Sequence, residues 1–167
     1  YLYRVLVRTD TDEQTIFYGI RNLAWSAETG LTVNDEPVLL RGGCIHHDHG
    51  VLGACEYQDA EERRIRILKE SGFNAVRMAH NPASQTTLEI CDRLGMYVMN
   101  EAFDGWYIPK TYHDYSRRFE TDWRSDVTAM VESSRNHPCV IMYSIGNEVS
   151  ETATPKGCLL YTSPSPR

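Results

Sequence analysis

The ten residues Cys139–Glu148, CVIMYSIGNE, join an apolar run to a Gly-Asn-Glu triplet. Val140, Ile141, Met142, Tyr143 and Ile145 are apolar on both alternating faces, which suits a strand buried between the layers of a parallel sheet. Pro138 stops the preceding helix, and Gly146 is expected to let the chain turn where the strand ends. A carboxylate, Glu148, therefore stands at a strand exit. In parallel α/β domains the groups at the carboxyl ends of the strands line the site.

Upstream, the same unit repeats. His46, His47, Asp48 and His49 follow a short apolar start after Arg41-Gly42-Gly43. Asp59 and Glu62 resemble a capping box, with Ile65 and Leu68 as the buried stripe and Gly72 as the stop. The run 73–78 reads as a strand that exits into Ala79, His80, Asn81 and Pro82. Ser84 caps a second helix with Leu88, Cys91 and Leu94 inward and Gly95 at its end. A third strand, 96–99, exits into Asn100, Glu101, Ala102, Phe103 and Asp104. Phe119, Trp123, Val127, Met130 and Val131 then mark a third helix at spacings of three and four. Four strands alternate with three helices, which is the signature of a parallel sheet. Every exit carries polar or charged residues, which favours a (β/α)8 barrel. Four strands make half of one, and an open four-stranded sheet leaves two apolar edges, so the native protein is expected to continue past Gly157.

The first residues differ. The segment 1–7 alternates as a half-buried strand, 9–15 turns, and 16–20 returns with no helix between, as in the tail of an all-β module. The segment 31–40, with Asn34-Asp35 at its bend, reads as a hairpin. Residues 157–167, GCLLYTSPSPR, read as a loose tail of foreign origin without a helix.

Composition narrows the function. With 41% hydrophobic and 24% charged residues and a net charge of −6, the chain reads as globular, and the acidic balance and lack of a basic run argue against nucleic acid. No apolar run is long enough for a membrane-spanning helix. The five cysteines form no Cys-x-x-Cys pair and are read mostly as buried thiols. Consecutive residues of an extended chain point to opposite faces, so His46–His49 cannot all hold one metal without a tight turn. His47, His49 and His137 are read as structural or exposed.

Four segments in order, RGGCIHHDHG, FNAVRMAHNP, CDRLGMYVMNEAFDGW and RNHPCVIMYSIGNE, resemble glycoside hydrolase family 2, and its bacterial β-galactosidases most of all. The resemblance covers roughly residues 33–151. It implies an α/β fold in which 1–22 closes an immunoglobulin-like β-sandwich, 23–156 forms the first half of a TIM barrel, and 157–167 is non-native. It implies a retaining hydrolase of terminal β-linked sugars, with a glycoside or oligosaccharide as partner and no cofactor. Glu148 would be the acid/base and Asn147 would hold the 2-hydroxyl. His46 and Asp48 would grip other hydroxyls, His80 would contact the glycone, and Arg77 would lie beside the catalytic carboxylates. Trp106 is a candidate aromatic wall. Glu101 is read either as site wall or as a buried ion pair with Arg77.

Retaining enzymes of this kind use two carboxyl groups about 5–5.5 Å apart, one to protonate the leaving oxygen and one to attack the anomeric carbon. The family's nucleophile lies on a later strand, so this chain alone is expected to be inactive. Asn100 stands where relatives often have Asp. Gly105 and Trp106 stand where some place a magnesium-binding Glu and His, so no metal is expected. Alternatives are a glucuronidase or mannosidase of the same family, a non-catalytic carbohydrate binder, and a histidine-metal hydrolase. Oligomeric state stays open, and a periplasmic or cytoplasmic bacterial setting is favoured over a membrane.

Overall fold

The computed structural model describes residues 1–162. Strands β1 (Tyr3–Arg8) and β2 (Glu13–Tyr18) pair antiparallel, with Tyr3 opposite Tyr18. Both are exposed along their whole length. They meet the rest of the molecule where Gly19 lies against Pro138, so closely that a Cβ would fall 2.5 Å from the proline ring. Beside it, Arg21 Nη2 donates to the Val140 carbonyl.

Next come β3 (Leu23–Ser26), β4 (Gly30–Val33) and β5 (Glu36–Pro37), a three-stranded antiparallel sheet. The bend at Asn34-Asp35 is as expected, with φ of 53° and 68°, the left-handed pair that a two-residue hairpin requires. Strand β3 was not anticipated. LAWS is too short to show alternation, and only its pairing with β4 makes it a strand.

The second half is a parallel sheet in the order β6 (Gly42–Ile45), β7 (Ala75–Met78), β8 (Tyr97–Glu101), β9 (Val140–Ser144). Helices α1 (Gln58–Glu70), α2 (Gln85–Leu94) and α3 (Ser116–Ser134) make the crossovers. Each strand pairs with its sequence neighbour, as in a barrel wall.

Helix α2 keeps the predicted cap: Ser84 Oγ accepts the Thr87 amide, and Gly95 closes the helix in the left-handed conformation at φ 69°. Its inward side buries Leu88, Ile90 and Cys91 against Val76, Met78, Met96, Val98 and Val140. Helix α1 differs from the expectation. It starts at Gln58 after Tyr57, with no side-chain cap. Asp59 thus falls inside the first turn, where its charge favours the helix dipole. Glu62 bonds to Arg66 and Arg93 instead of closing a box.

Beyond β9 a helix forms where a loose tail was expected. In α4 (Pro155–Thr162), Thr154 Oγ1 accepts the Gly157 amide at 3.1 Å, and Pro155 occupies the first helical position, where its missing N–H costs nothing. The later prolines lie past the helix, so they do not interrupt it, and residues 163–167 lie outside the described residues. Leu160 packs on the cluster of Phe103, Trp106, Phe119 and Met130. No helix among the described residues is long and apolar enough to cross a membrane.

The reading of mostly buried thiols is corrected. Cys91 and Cys139 are buried, and burial pushes both thiols up. Cys44, Cys55 and Cys158 are exposed, because Cys44 sits on the edge strand β6 and Cys55 in the loop after it.

Candidate active site

Strands β8 and β9 end in Glu101 and Ser144 and β7 exits toward His80, and parallel pairing brings those ends together. At the centre lies Glu101, fully buried at the end of β8. Arg77 of β7 grips it through Nε at 3.0 Å and Nη2 at 2.8 and 2.7 Å. His80 Nδ1 lies 2.6 Å from Oε1, and Ser144 Oγ of β9 donates to Oε2 at 2.5 Å. Of the two readings of Glu101, the structure therefore takes the buried ion pair. A buried carboxylate is tolerable only with this many donors.

The network reaches the strand exit after β9. Asn147 Oδ1 accepts from Arg77 Nη2 at 3.0 Å, while Asn147 Nδ2 donates to Asp104 at 2.9 Å. Its amide plane is thereby fixed at both ends. Glu148 follows at φ 50°. The other non-glycine residues with positive φ among the described residues are Asn34 and Asp35, which adopt the left-handed region easily. Glutamate does so at a cost of about 1 kcal/mol.

The turn before Glu148 is shaped by packing. A Cβ on Gly146 would lie 2.7 Å from Trp106 Nε1 and 2.7 Å from Val149, so glycine is required there for room, and the left-handed step falls on Glu148. Trp106 corrects another expectation. Its ring is 2% exposed, stacked on Phe119 at 5.8 Å, and Nε1 donates to the Ile145 carbonyl at 2.7 Å. It braces the turn from beneath, almost entirely withdrawn from solvent.

The Glu148 side chain is 75% exposed, and Lys110 Nζ lies 3.1 Å from Oε2. Lys110 also donates to Asp104 at 2.9 Å and to the Asn147 carbonyl at 3.2 Å. Burial alone would push Lys110 down, but the two carboxylates outweigh it and hold the ammonium above its usual range. Burial likewise pushes Asp104 up, and hydrogen bonds from Lys110 and Asn147 bring it below the ordinary carboxylate value. Lys110 gave no signal in the sequence, since it belongs to no strand exit or periodic pattern. A cleft of about 610 Å³ is lined by Lys110 and Asp104 together with Asn81, Phe103, Tyr115 and Met130.

The loop after β6 is less unified. His46 is exposed and meets His80 edge to face at 5.3 Å. Asp48 stands apart from the Glu101 network, its Oδ1 accepting the Gly50 amide at 2.9 Å. His47 and His49 are structural, as read: His47 Nδ1 lies 2.6 Å from Glu56, and His49 Nε2 lies 2.7 Å from the fully buried Glu61. His137 similarly pairs with Asp92 at 2.6 Å. Asn100, 1% exposed, accepts the Ala83 amide and so supports the entry to α2. Among the described residues no group of three or more His, Cys, Asp or Glu side chains is placed to hold a metal ion.

The His47–Glu56 pair makes the anchoring of this loop pH-dependent. The bond to Glu56 raises His47 above its ordinary value, against burial. Burial pushes Glu56 up, but bonds from His47, Ser84 and Thr87 prevail and hold it at about 2. A raised histidine contributes fully below its unfolded value of about 6.5, and the contribution is lost as pH rises through the folded value. A depressed carboxylate contributes fully above its unfolded value of about 4.3, and loses this as pH falls through the folded one. The pair is therefore most stabilising between roughly pH 4.3 and 6.5. Thermal denaturation should show His47→Gln lagging the wild type most at pH 5.5, with the gap narrowing by pH 9. A gap independent of pH would remove the ion pair from the explanation.

These features place a cluster of charged and polar side chains at the carboxyl ends of a four-stranded parallel β/α wall. The model for glycosyl hydrolases family 2, TIM barrel domain, matches residues 27–161. The chain is 43% identical to a β-galactosidase of Bacteroides ovatus over 156 residues, 90% of this chain and 18% of that protein. A family 2 glycosyl hydrolase structure from Bacteroides cellulosilyticus superposes with a TM-score of 0.87 at 48% identity, covering 93% of this chain and 21% of that one. A β-glucuronidase structure from Parabacteroides merdae superposes at 0.71 and 26% identity, covering 86% and 18%. The chain belongs to glycoside hydrolase family 2 and carries part of its TIM barrel domain. It spans about a fifth of the length of these relatives.

Proposed function

We propose that the complete protein is a retaining exo-glycosidase that removes a terminal β-linked sugar, with galactose the favoured glycone. The observation that carries this is the Asn147–Glu148 pair, tied through Arg77 to the buried Glu101 and set at a strand exit in a backbone conformation glutamate seldom adopts. Glu148 acts as acid/base. Asn147, whose amide donates without titrating, holds the 2-hydroxyl, where hydrogen bonding tightens in the oxocarbenium-like transition state. His80, His46 and Asp48 contact other hydroxyls, and Arg77 orients Asn147. Glu148 is exposed on the four-stranded wall, so this reading requires further strands to enclose it and to bring the nucleophile. The 167-residue chain alone is inactive on this view. Residues 1–22 are the closing strands of an immunoglobulin-like sandwich: β1 and β2 leave Tyr3, Val5, Val7, Ile16 and Phe17 exposed, as strands awaiting the rest of a sheet do.

Glucuronic acid is the second candidate glycone, favoured by the structural likeness to the Parabacteroides merdae enzyme. The test is a panel of nitrophenyl β-glycosides turned over by the complete protein. The galactoside should exceed the glucuronide and mannoside by about a hundredfold in kcat/KM, and proton NMR should show the β anomer of the sugar first. Initial release of the α anomer would overturn retention, and preference for the glucuronide would overturn galactose.

A further inference from the structure

We propose that Lys110 is a positioning residue for proton transfer by Glu148, an inference that rests on the acid/base reading above. Lysine carries three donors and no acceptor. Here all three have oxygen partners converging on one point: Asp104 Oδ1 at 2.9 Å, the Asn147 carbonyl at 3.2 Å and Glu148 Oε2 at 3.1 Å. The lysine is anchored at its own backbone as well, because Asp114 Oδ2 accepts the amides of Lys110 and Thr111 at 2.5 and 3.0 Å. Asp104 in turn accepts from Asn147 Nδ2. The loop between β8 and α3 therefore holds both residues of the pair after β9, Asn147 by its side chain and carbonyl and Glu148 by one carboxyl oxygen.

The partition between the two oxygens of Glu148 matters. With Oε2 engaged by the ammonium, Oε1 is the oxygen left to carry the proton toward a leaving group. When that proton moves to the glycosidic oxygen, the O–H bond of Glu148 breaks, an O–H bond to the departing sugar forms, and the carboxylate left behind keeps its ion pair with Lys110. In the second half of the reaction the same oxygen recovers a proton from water. Lys110 touches neither sugar nor nucleophile in this account. It fixes the rotamer and supports the charge.

The consequence is selective. Removing Lys110 should damage steps that need a proton from Glu148 and spare those that do not. A misplaced acid loses part of the roughly 10²- to 10⁴-fold that general acid catalysis supplies. In the complete protein, Lys110→Met should lower kcat on a disaccharide about tenfold. On a dinitrophenyl glycoside, whose leaving group departs without protonation, the first step should fall by no more than about twofold, read as the burst of phenolate. Lys110→Arg, which keeps a cation within reach, should recover part of the loss. An equal fall on both substrates would show a merely structural loop contact, and no fall on either would show that the ion pair is idle. Both results overturn the inference while leaving the acid/base reading intact. If Glu148→Gln were itself indifferent to the leaving group, the acid/base reading and this inference would fall together.

Discussion

Glu148→Gln in the complete protein should lower kcat on a disaccharide by about 10²- to 10⁴-fold, the range general acid catalysis supplies. Glutamine preserves the volume, the backbone and an oxygen for Lys110, but it has no proton to give. The loss should shrink steeply as the leaving group improves from sugar to dinitrophenolate, because a good leaving group needs no protonation. Release of the covalent intermediate should then become limiting, since the base that activates water is lost as well. Burst kinetics on an activated glycoside separate these two effects. Wild-type rates on a disaccharide would remove Glu148 from the chemistry, and with it the role of the whole strand exit after β9.

The second large effect lies beneath the site. Glu101→Ala should destabilise the barrel by about 3 kcal/mol, the lower end of the cost of breaking a buried ion pair. The lower end applies because Arg77 keeps 29% of its side chain exposed and so regains some water. Activity should fall further than stability does. Without Glu101, Arg77 is free to turn away from Asn147, and His80 and Ser144 lose their common acceptor. Urea unfolding followed by the fluorescence of Trp106 and Trp123 reports the first effect, and kcat/KM at low urea reports the second. A variant with an unchanged unfolding midpoint would contradict the anchoring role.

How much of this was legible in the sequence depended on the range over which each feature is determined. Helix α2 could be read because its cap, buried stripe and terminator lie within twelve residues: Ser84, Leu88, Cys91 and Gly95. Strands β7, β8 and β9 could be read because each is a short, largely apolar run bounded by turn residues, whereas β6, GGCI, is exposed at all but its last residue. The Asn34-Asp35 bend was visible in two residues. Asn147 and Glu148 stood out because they end such a run.

The misses are long-range. Trp106 looked like a candidate wall because it lies in a loop, yet its indole N–H meets a carbonyl 39 residues away, and that contact puts the ring underneath. Lys110 lies 38 residues from Glu148 in the chain and nothing local marks it. The prolines and serines of 157–167 hide the helix start, which lies upstream at Thr154 and Pro155.

The amino-acid pattern alone therefore determined the alternation of strand and helix and the presence of polar groups at every strand exit, since both are set by residues within one turn or one strand. Only the tertiary structure decided which of those groups bond to one another: Glu101 buried among Arg77, His80 and Ser144, Asn147 tied to Arg77 and Asp104, Asp48 outside that network, and Lys110, from no strand exit, against Glu148. The reason is that hydrogen bonds and ion pairs act over about 3 Å, and which atoms come that close is settled by chain folding across dozens of residues.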